Sequence, residues 1–254
     1  MTFVGLRVLA ALILREMMTR YGRSAGGYIW ALIEPVAFII IFSAIFSSIA
    51  HDPPLGENFP LFFATGVVTF AFYRDVQEVV SGSFTFNKQL FTYPQVTVLY
   101  AVAARLLLQL LTLFATSTII MVGIILIFDI RVNVDLGLIL LGIFSATLSG
   151  LAVGLVNCIA FVVWPTWQRF FNIFNRPLFL ISGVFFIPEN LPPEIRDIIT
   201  LNPIAHQIGL VRSGFYATYD PDYISYVYLF GSAIVVSVAG LALLLKYEGR
   251  LTEL

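Results

Sequence analysis

The sequence predicts an all-α integral membrane protein with six transmembrane helices in one domain, residues 1–254. The first ground is composition: of 254 residues, 59% are hydrophobic and 11% are charged. Soluble domains carry about 25% charged residues, and a chain of this length has too little interior to hide so much apolar surface from water. Lipid takes the place of the missing core. The second ground is that nearly uncharged stretches recur at roughly the 20 residues a bilayer demands. The third is where the basic residues lie.

The spans fall at residues 28–50, 59–80, 105–128, 136–160, 170–187 and 223–245. Glu34 interrupts the first near its start, and Arg74, Asp75 and Glu78 lie toward the end of the second. The third reads as the cleanest. The fifth is broken near its start by Arg176 and Pro177. With the N-terminus cytoplasmic, Arg7, Arg15, Arg20, Arg23, Arg74, Lys88, Arg105, Arg169, Arg176, Lys246 and Arg250 are inside or flank inside loops. Arg131, Arg196 and Arg212 fall outside. This is the positive-inside pattern, so both termini are expected in the cytoplasm. Val8 to Leu14 is too closely followed by Arg15 and Glu16, with no small-residue cleavage site, to read as a removed signal.

Three segments outside the spans are expected to be structured. Residues 1–23 read as a cytoplasmic interface helix, with Leu6, Ala10, Ile13 and Met17 on one stripe and Arg7 and Arg15 beside it. Ser81 to Gln95 reads as a polar cytoplasmic turn containing Asn87 and Lys88. Residues 188–221 are too polar to span and too apolar for a free loop. Pro192-Pro193 opens one short helix, and Asn202-Pro203 has the cap-then-proline form of a second. These two are expected to be re-entrant, forming an outer gate segment. In the fourth span Ala146, Gly150 and Gly154 recur every fourth residue, which suits close helix approach within the chain or between subunits.

Enzyme signatures are missing. Neither lysine follows a glycine, so there is no phosphate loop and no conventional ATPase apparatus. His51 and His206 are far apart and form no H-E-x-x-H, and no Ser or Cys nucleophile has a base beside it. The one cysteine, Cys158, excludes an internal disulfide. Nothing basic suggests nucleic acid. Ion-coupled transport needs ionisable groups near the bilayer midplane, and the third, fourth and sixth spans have none there. Aromatic rings are plentiful: Phe38, Phe42 and Phe46 at helical spacing, and Trp164, Trp167, Phe170, Phe171 and Phe174 in a cluster. They suit lipid contact or a conduit along which a sugar polymer slides.

Several ordered motifs resemble one family. Leu14-Arg15-Glu16-Met17-Met18-Thr19-Arg20-Tyr21-Gly22 leads into Gly27-Tyr28-Ile29-Trp30 and Glu34-Pro35. Leu90-Phe91-Thr92-Tyr93-Pro94-Gln95-Val96 and Ala104-Arg105 follow. Arg176-Pro177-Leu178-Phe179, Ile181-Ser182-Gly183, Leu201-Asn202-Pro203 and His206 complete the set. Together they resemble type-2 ABC exporters, and within them the permease subunit of capsular polysaccharide exporters of Gram-negative bacteria. The resemblance implies a homodimer in the inner membrane, driven by two copies of a separate ATPase that binds the ATP and magnesium, with no cofactor on this chain. It also implies a lipid-linked acidic polysaccharide as cargo, and a periplasmic co-polymerase and an outer-membrane component as further partners. By the same resemblance Arg20, Tyr21 and Arg23 would receive the lipid headgroup. Trp30, Phe38, Phe42, Phe174 and Phe179 would line the conduit. Arg7, Arg15, Asn87 and Lys88 would couple to the ATPase, and Pro203, His206 and Arg212 would form the exit gate. Export of O-antigen or teichoic acid, or a membrane-embedded glycosyltransferase, are the alternatives.

Overall fold

A computed structural model of the chain describes residues 3–20, 27–93, 95–131 and 133–252. Ten α-helices account for most of them: α1 (Phe3–Arg20), α2 (Gly27–Ile49), α3 (Phe59–Ser81), α4 (Ser83–Asn87), α5 (Val98–Ile127), α6 (Leu136–Val163), α7 (Pro165–Leu178), α8 (Pro193–Thr200), α9 (Pro203–Phe215) and α10 (Tyr226–Thr252). No strand occurs among the described residues. Among the described residues, four helices are long and apolar enough to cross a membrane: Ile29–Ile49, Val98–Ile127, Leu136–Val163 and Tyr226–Tyr247.

Helix starts follow local chemistry. Thr97 caps α5 by accepting from the Tyr100 N–H at 3.3 Å. Asp135 caps α6, its Oδ1 accepting from Gly137 N at 2.8 Å and Leu138 N at 3.2 Å. Asn202 caps α9 through a 3.0 Å bond from Ile204 N. Each side chain satisfies amide donors that the first turn leaves unpaired. Pro165, at the start of α7, ends α6 because the residue before a proline is driven out of the helical region.

The middle of the bundle is α3, packed against α6, α5, α2 and α9, while α10 lies on the far side of α6. Phe62, Phe63, Phe72, Val76 and Val80 of α3 are wholly buried. Gly150 and Gly154 of α6 face it directly. A Cβ on Gly150 would sit 2.5 Å from the Tyr73 carbonyl oxygen, and one on Gly154 would sit 2.7 Å from the Val80 Cβ. The small residues of the fourth span therefore serve packing within the chain.

Two ends of the bundle can be told apart. At one, α1 lies against the start of α5, with Leu9, Leu12 and Ala104 as a small core. The ends of α3 and α6 and the last turns of α10 are there too: Leu244 packs in one core with Val80 and Leu155. At the other, α9 sits against the start of α6, with the Gly214 carbonyl accepting from Asp135 N at 2.8 Å. The first and last helices thus lie at the same end.

In α1, Gly5, Leu9, Leu12 and Glu16 face the protein, while Leu6, Ala10 and Met17 of the expected stripe are exposed. Three expectations need correction. The third span begins at Val98 rather than Arg105, because Arg105 finds a buried carboxylate instead of ending the helix. The fifth span, 170–187, is not one helix. The chain from 165 does run between the two ends, but as α7, a 3-10 turn (Leu180–Ser182) and a bend at Gly183, whose φ of +79° lies in the left-handed region. The sixth helix starts at Tyr226 and runs to Thr252.

Candidate functional site

A cavity of about 1350 Å³ opens among α2, α3, α5 and α7 at the α1 end. That exceeds the roughly 300–1,000 Å³ of ordinary small-molecule pockets. Its wall has three zones. Glu16, Glu34, Arg74, Asp75, Glu78, Arg105 and Arg176 bring charge. Gln77, Gln109, Thr112, Thr116, Ser117, Gln168, Asn172 and Asn175 bring neutral amides and hydroxyls. Trp30, Phe38, Phe70 and Phe179 bring rings.

The charges are largely matched within the chain. Arg74 Nε donates to Asp75 Oδ1 at 2.8 Å, and its Nη2 lies 3.9 Å from Glu34 Oε1 on α2. Arg105 Nε donates to Glu16 Oε1 at 2.9 Å in a buried pair that joins α5 to α1. The neutral zone has helical logic. Gln109, Thr112 and Thr116 recur on one face of α5, as do Gln168, Asn172, Asn175 and Phe179 along and just past α7. Asn175 Nδ2 approaches Gln77 Oε1 at 3.5 Å, and Gln77 Nε2 donates to Ser81 Oγ at 2.8 Å.

The deep end is closed by rings. Phe38 stacks on Phe42 at 4.1 Å and meets Phe179 edge-on at 5.2 Å. Phe42, Phe46, Phe63 and Phe185 continue the cluster toward the α9 end, with Phe42 and Phe185 5.0 Å apart. The site is therefore a polar vestibule under an aromatic plug.

The expected conduit residues divide. Trp30, Phe38 and Phe179 line the cavity, and Phe42 belongs to the plug behind it. Phe174 does not face the cavity; it is 74% exposed on the opposite face of α7. Of the expected headgroup residues, Tyr21 and Arg23 lie outside the described residues, as does the side chain of Arg20 at the end of α1. Among the coupling residues, Arg15 Nη1 donates to Asn87 Oδ1 at 2.8 Å, and Asn87 is buried, its Nδ2 bonded to the Ser83 carbonyl. Arg7 and Lys88 are exposed.

The expected gate residues are joints rather than surface. Arg212 is 1% exposed. Its Nη1 donates to the carbonyls of Gly183 at 2.8 Å and Phe186 at 2.9 Å, its Nη2 to Val184 at 3.0 Å, and it lies 4.0 Å over the Phe62 ring. Burial pulls the guanidinium down to about 10, so it stays charged at neutral pH. His206 Nε2–H donates to the Thr200 carbonyl at 2.7 Å, and Nδ1 accepts from Ser225 N at 3.3 Å, the pattern of one neutral tautomer. Burial lowers its pKa. Pro203 opens α9, half-buried.

Sequence reasoning missed the α5 wall of Gln109, Thr112, Thr116 and Ser117. Their spacing was the available signal, masked by the hydropathy of the helix around them.

The chain is similar in sequence to several known proteins over most of its length. Over 234 residues the chain is 29% identical to the polysialic acid transport protein KpsM of Escherichia coli, covering 92% of this chain and 90% of that one. It is 25% identical over 242 residues to the capsule polysaccharide export inner-membrane protein CtrC of Neisseria meningitidis serogroup A, covering 95% and 91%. With the capsule polysaccharide export inner-membrane protein BexB of Haemophilus influenzae it shares 26% over 242 residues, again 95% and 91%. The model of ABC-2 type transporters matches residues 7–216, from α1 through the end of α9, and the chain belongs to that family.

Proposed function

We propose that this chain is the membrane-spanning subunit of an ATP-driven exporter that carries a lipid-linked capsular polysaccharide across the bacterial inner membrane. The observation that carries the reading is the vestibule: a cavity larger than a small-molecule site, walled by amides, hydroxyls and rings. Amides and hydroxyls exchange hydrogen bonds with sugar hydroxyls one residue after another. Aromatic faces accept the apolar C–H faces of sugars without gripping them. Arg74 and Arg105 are already held by carboxylates, so with Arg176 the wall does not add up to a cluster of uncompensated positive charge that would trap an acidic polymer.

In this reading α2, α3, α5, α6, the composite 165–187 segment and α10 make the six crossings, with both termini cytoplasmic, and α8 and α9 form the outer gate. Two copies complete the pathway. Two separate ATPase subunits dock on α1 and the α4 segment, where Arg7 and Lys88 are exposed. Arg20, Tyr21 and Arg23 receive the headgroup, and a co-polymerase and an outer-membrane component take the polymer onward.

The experiment is reconstitution in vesicles. The purified chain alone should hydrolyse no ATP. Joined with a copurifying ATPase subunit, it should move lipid-linked polysaccharide only when ATP is added. Movement driven by a proton gradient without any ATPase would overturn the reading.

A further inference from the structure

Arg105 occupies a junction that no transport role yet uses. Its Nε is bonded to Glu16 of α1 at 2.9 Å, with the two side chains only 10% and 3% exposed. Its guanidinium carbon lies 4.6 Å over the ring of Phe86 in α4, and the Arg15 guanidinium of α1 approaches the same ring at 5.8 Å. Arg15 in turn holds Asn87 of α4. Glu16, Gly82, Phe86 and Arg105 all line the cavity. Gly82 fits here because a Cβ would lie 3.3 Å from Arg105 Nη1.

Elsewhere α1 rests on α5 through an apolar patch of Leu9, Leu12 and Ala104, with Gly5 close against Tyr100. Apolar contact of this kind carries no directional bond. A buried ion pair is directional, and it contributes geometry more than net stability. The planar guanidinium adds a stacking face that an ammonium lacks. Arg105 stands in the eighth position of a 30-residue helix about 45 Å long, longer than the roughly 30 Å hydrocarbon layer. It sits in the first turns of α5, where α1, α4 and the cavity meet.

We infer that Arg105 is a positioning residue for transport: it fixes the angle of α1 through Glu16 and the seat of α4 through Phe86, so that the cavity wall and the α1–α4 surface move as one body. The inference rests on the proposed exporter function. A displacement of α1 pulls the cavity wall through the Glu16–Arg105 bond, and a polymer pressing on that wall is felt at α1. Cutting the bond leaves the two surfaces intact and disconnected.

The test uses the reconstituted complex of the full chain with its ATPase subunit. The paired replacement Glu16→Gln with Arg105→Gln removes both buried charges together and leaves no orphan ion. Arg105→Lys keeps the charge but loses the stacking plane. Both should lower export about tenfold while hydrolysis by the ATPase subunit and copurification persist, the size expected for a lost coupling term. Undiminished export, or export and hydrolysis falling in proportion, would overturn the inference. An unaltered complex gives a second readout that needs no variant to fold. Adding lipid-linked polysaccharide should change amide hydrogen exchange in α1 and α4 together, and unchanged exchange in either would also overturn it. Failure of the unaltered complex to export or to bind an ATPase would instead refute the functional reading.

Discussion

Gly154 of α6 lies so close to Val80 of α3 that a Cβ on it would come within 2.7 Å of the valine Cβ and 3.1 Å of the Gln77 carbonyl. One turn earlier, Gly150 faces the Tyr73 carbonyl at 2.5 Å on the same measure. Backbone cannot step aside as a flexible side chain does. Gly150→Ala and Gly154→Ala should each cost about 1–3 kcal/mol of stability, the range for overpacking. Gly123→Ala is the contrast, since nothing lies within 4 Å of its added Cβ. It should be neutral or slightly stabilising through helix propensity, worth up to about 1 kcal/mol. Thermal unfolding of the three variants in one detergent checks the ordering.

Arg212 supplies three charge-assisted hydrogen bonds to the carbonyls of the 183–186 bend. That bend is where the segment expected as the fifth span stops being a helix. Arg212→Lys places a point charge where a planar fork is needed and cannot reach all three oxygens. The loss should be about 2–3 kcal/mol, the scale of hydrogen bonds to charged groups. The melting temperature should fall, and proteolysis should begin near Gly183.

Helices α8 and α9 should respond to acid through His206. Its folded pKa lies below the ordinary 6.5, chiefly from burial, so the folded state favours the neutral ring. Protonation would turn Nδ1 into a donor facing the Ser225 N–H. The surroundings, Tyr223 and Tyr228 at 5.3 and 5.5 Å, offer no counter-charge. Between the folded pKa and 6.5 the unfolded chain binds more protons, so stability rises with pH there. The contribution is fully present above pH 6.5 and is lost as pH falls through the folded pKa. Each unit of depression is worth about 1.4 kcal/mol. Amide exchange in α8 and α9 should quicken as pH falls below 6.5, and His206→Gln should flatten that profile.

The vestibule wall can be altered without touching the core. No residue of α7 is buried, so Asn172→Leu with Asn175→Leu should change stability by only about 0.5 kcal/mol. Export should nonetheless fall about tenfold, near 1.4 kcal/mol of lost interaction with the moving polymer. Vesicle export assays beside a thermal melt separate the two effects.

How far the sequence reached follows from what each signal measures. Hydropathy located α2, α3 and α6 to within a few residues, because each is a long apolar stretch that must leave water, whether into lipid or, for α3, into the middle of the bundle. The Asn202-Pro203 cap located α9 for a local reason equally visible in the chain. The fifth crossing was misread because apolar content does not reveal a left-handed bend at Gly183, which is fixed by Arg212 from 29 residues away. The start of α5 was misplaced because Arg105 looked like a boundary charge, and its partner Glu16 lies 89 residues earlier. Of the cavity wall, Phe38 was legible as a ring at helical spacing, and Trp30 and Phe179 through the family resemblance. Phe174 lies on the exposed face of α7, away from this cavity, and both faces of that helix carry aromatics. The α5 hydroxyls and Gln109 were hidden inside the most hydrophobic span.

The central claim is that the polymer passes through the vestibule between α2, α3, α5 and α7. Photo-crosslinking in exporting cells tests it directly. A photoreactive amino acid at Phe179, in the vestibule wall, should form an adduct with the polysaccharide. The same group at Phe144, exposed on α6 beside Phe230, should form none. An adduct at 144, or none at 179 in cells that still export, would contradict the account.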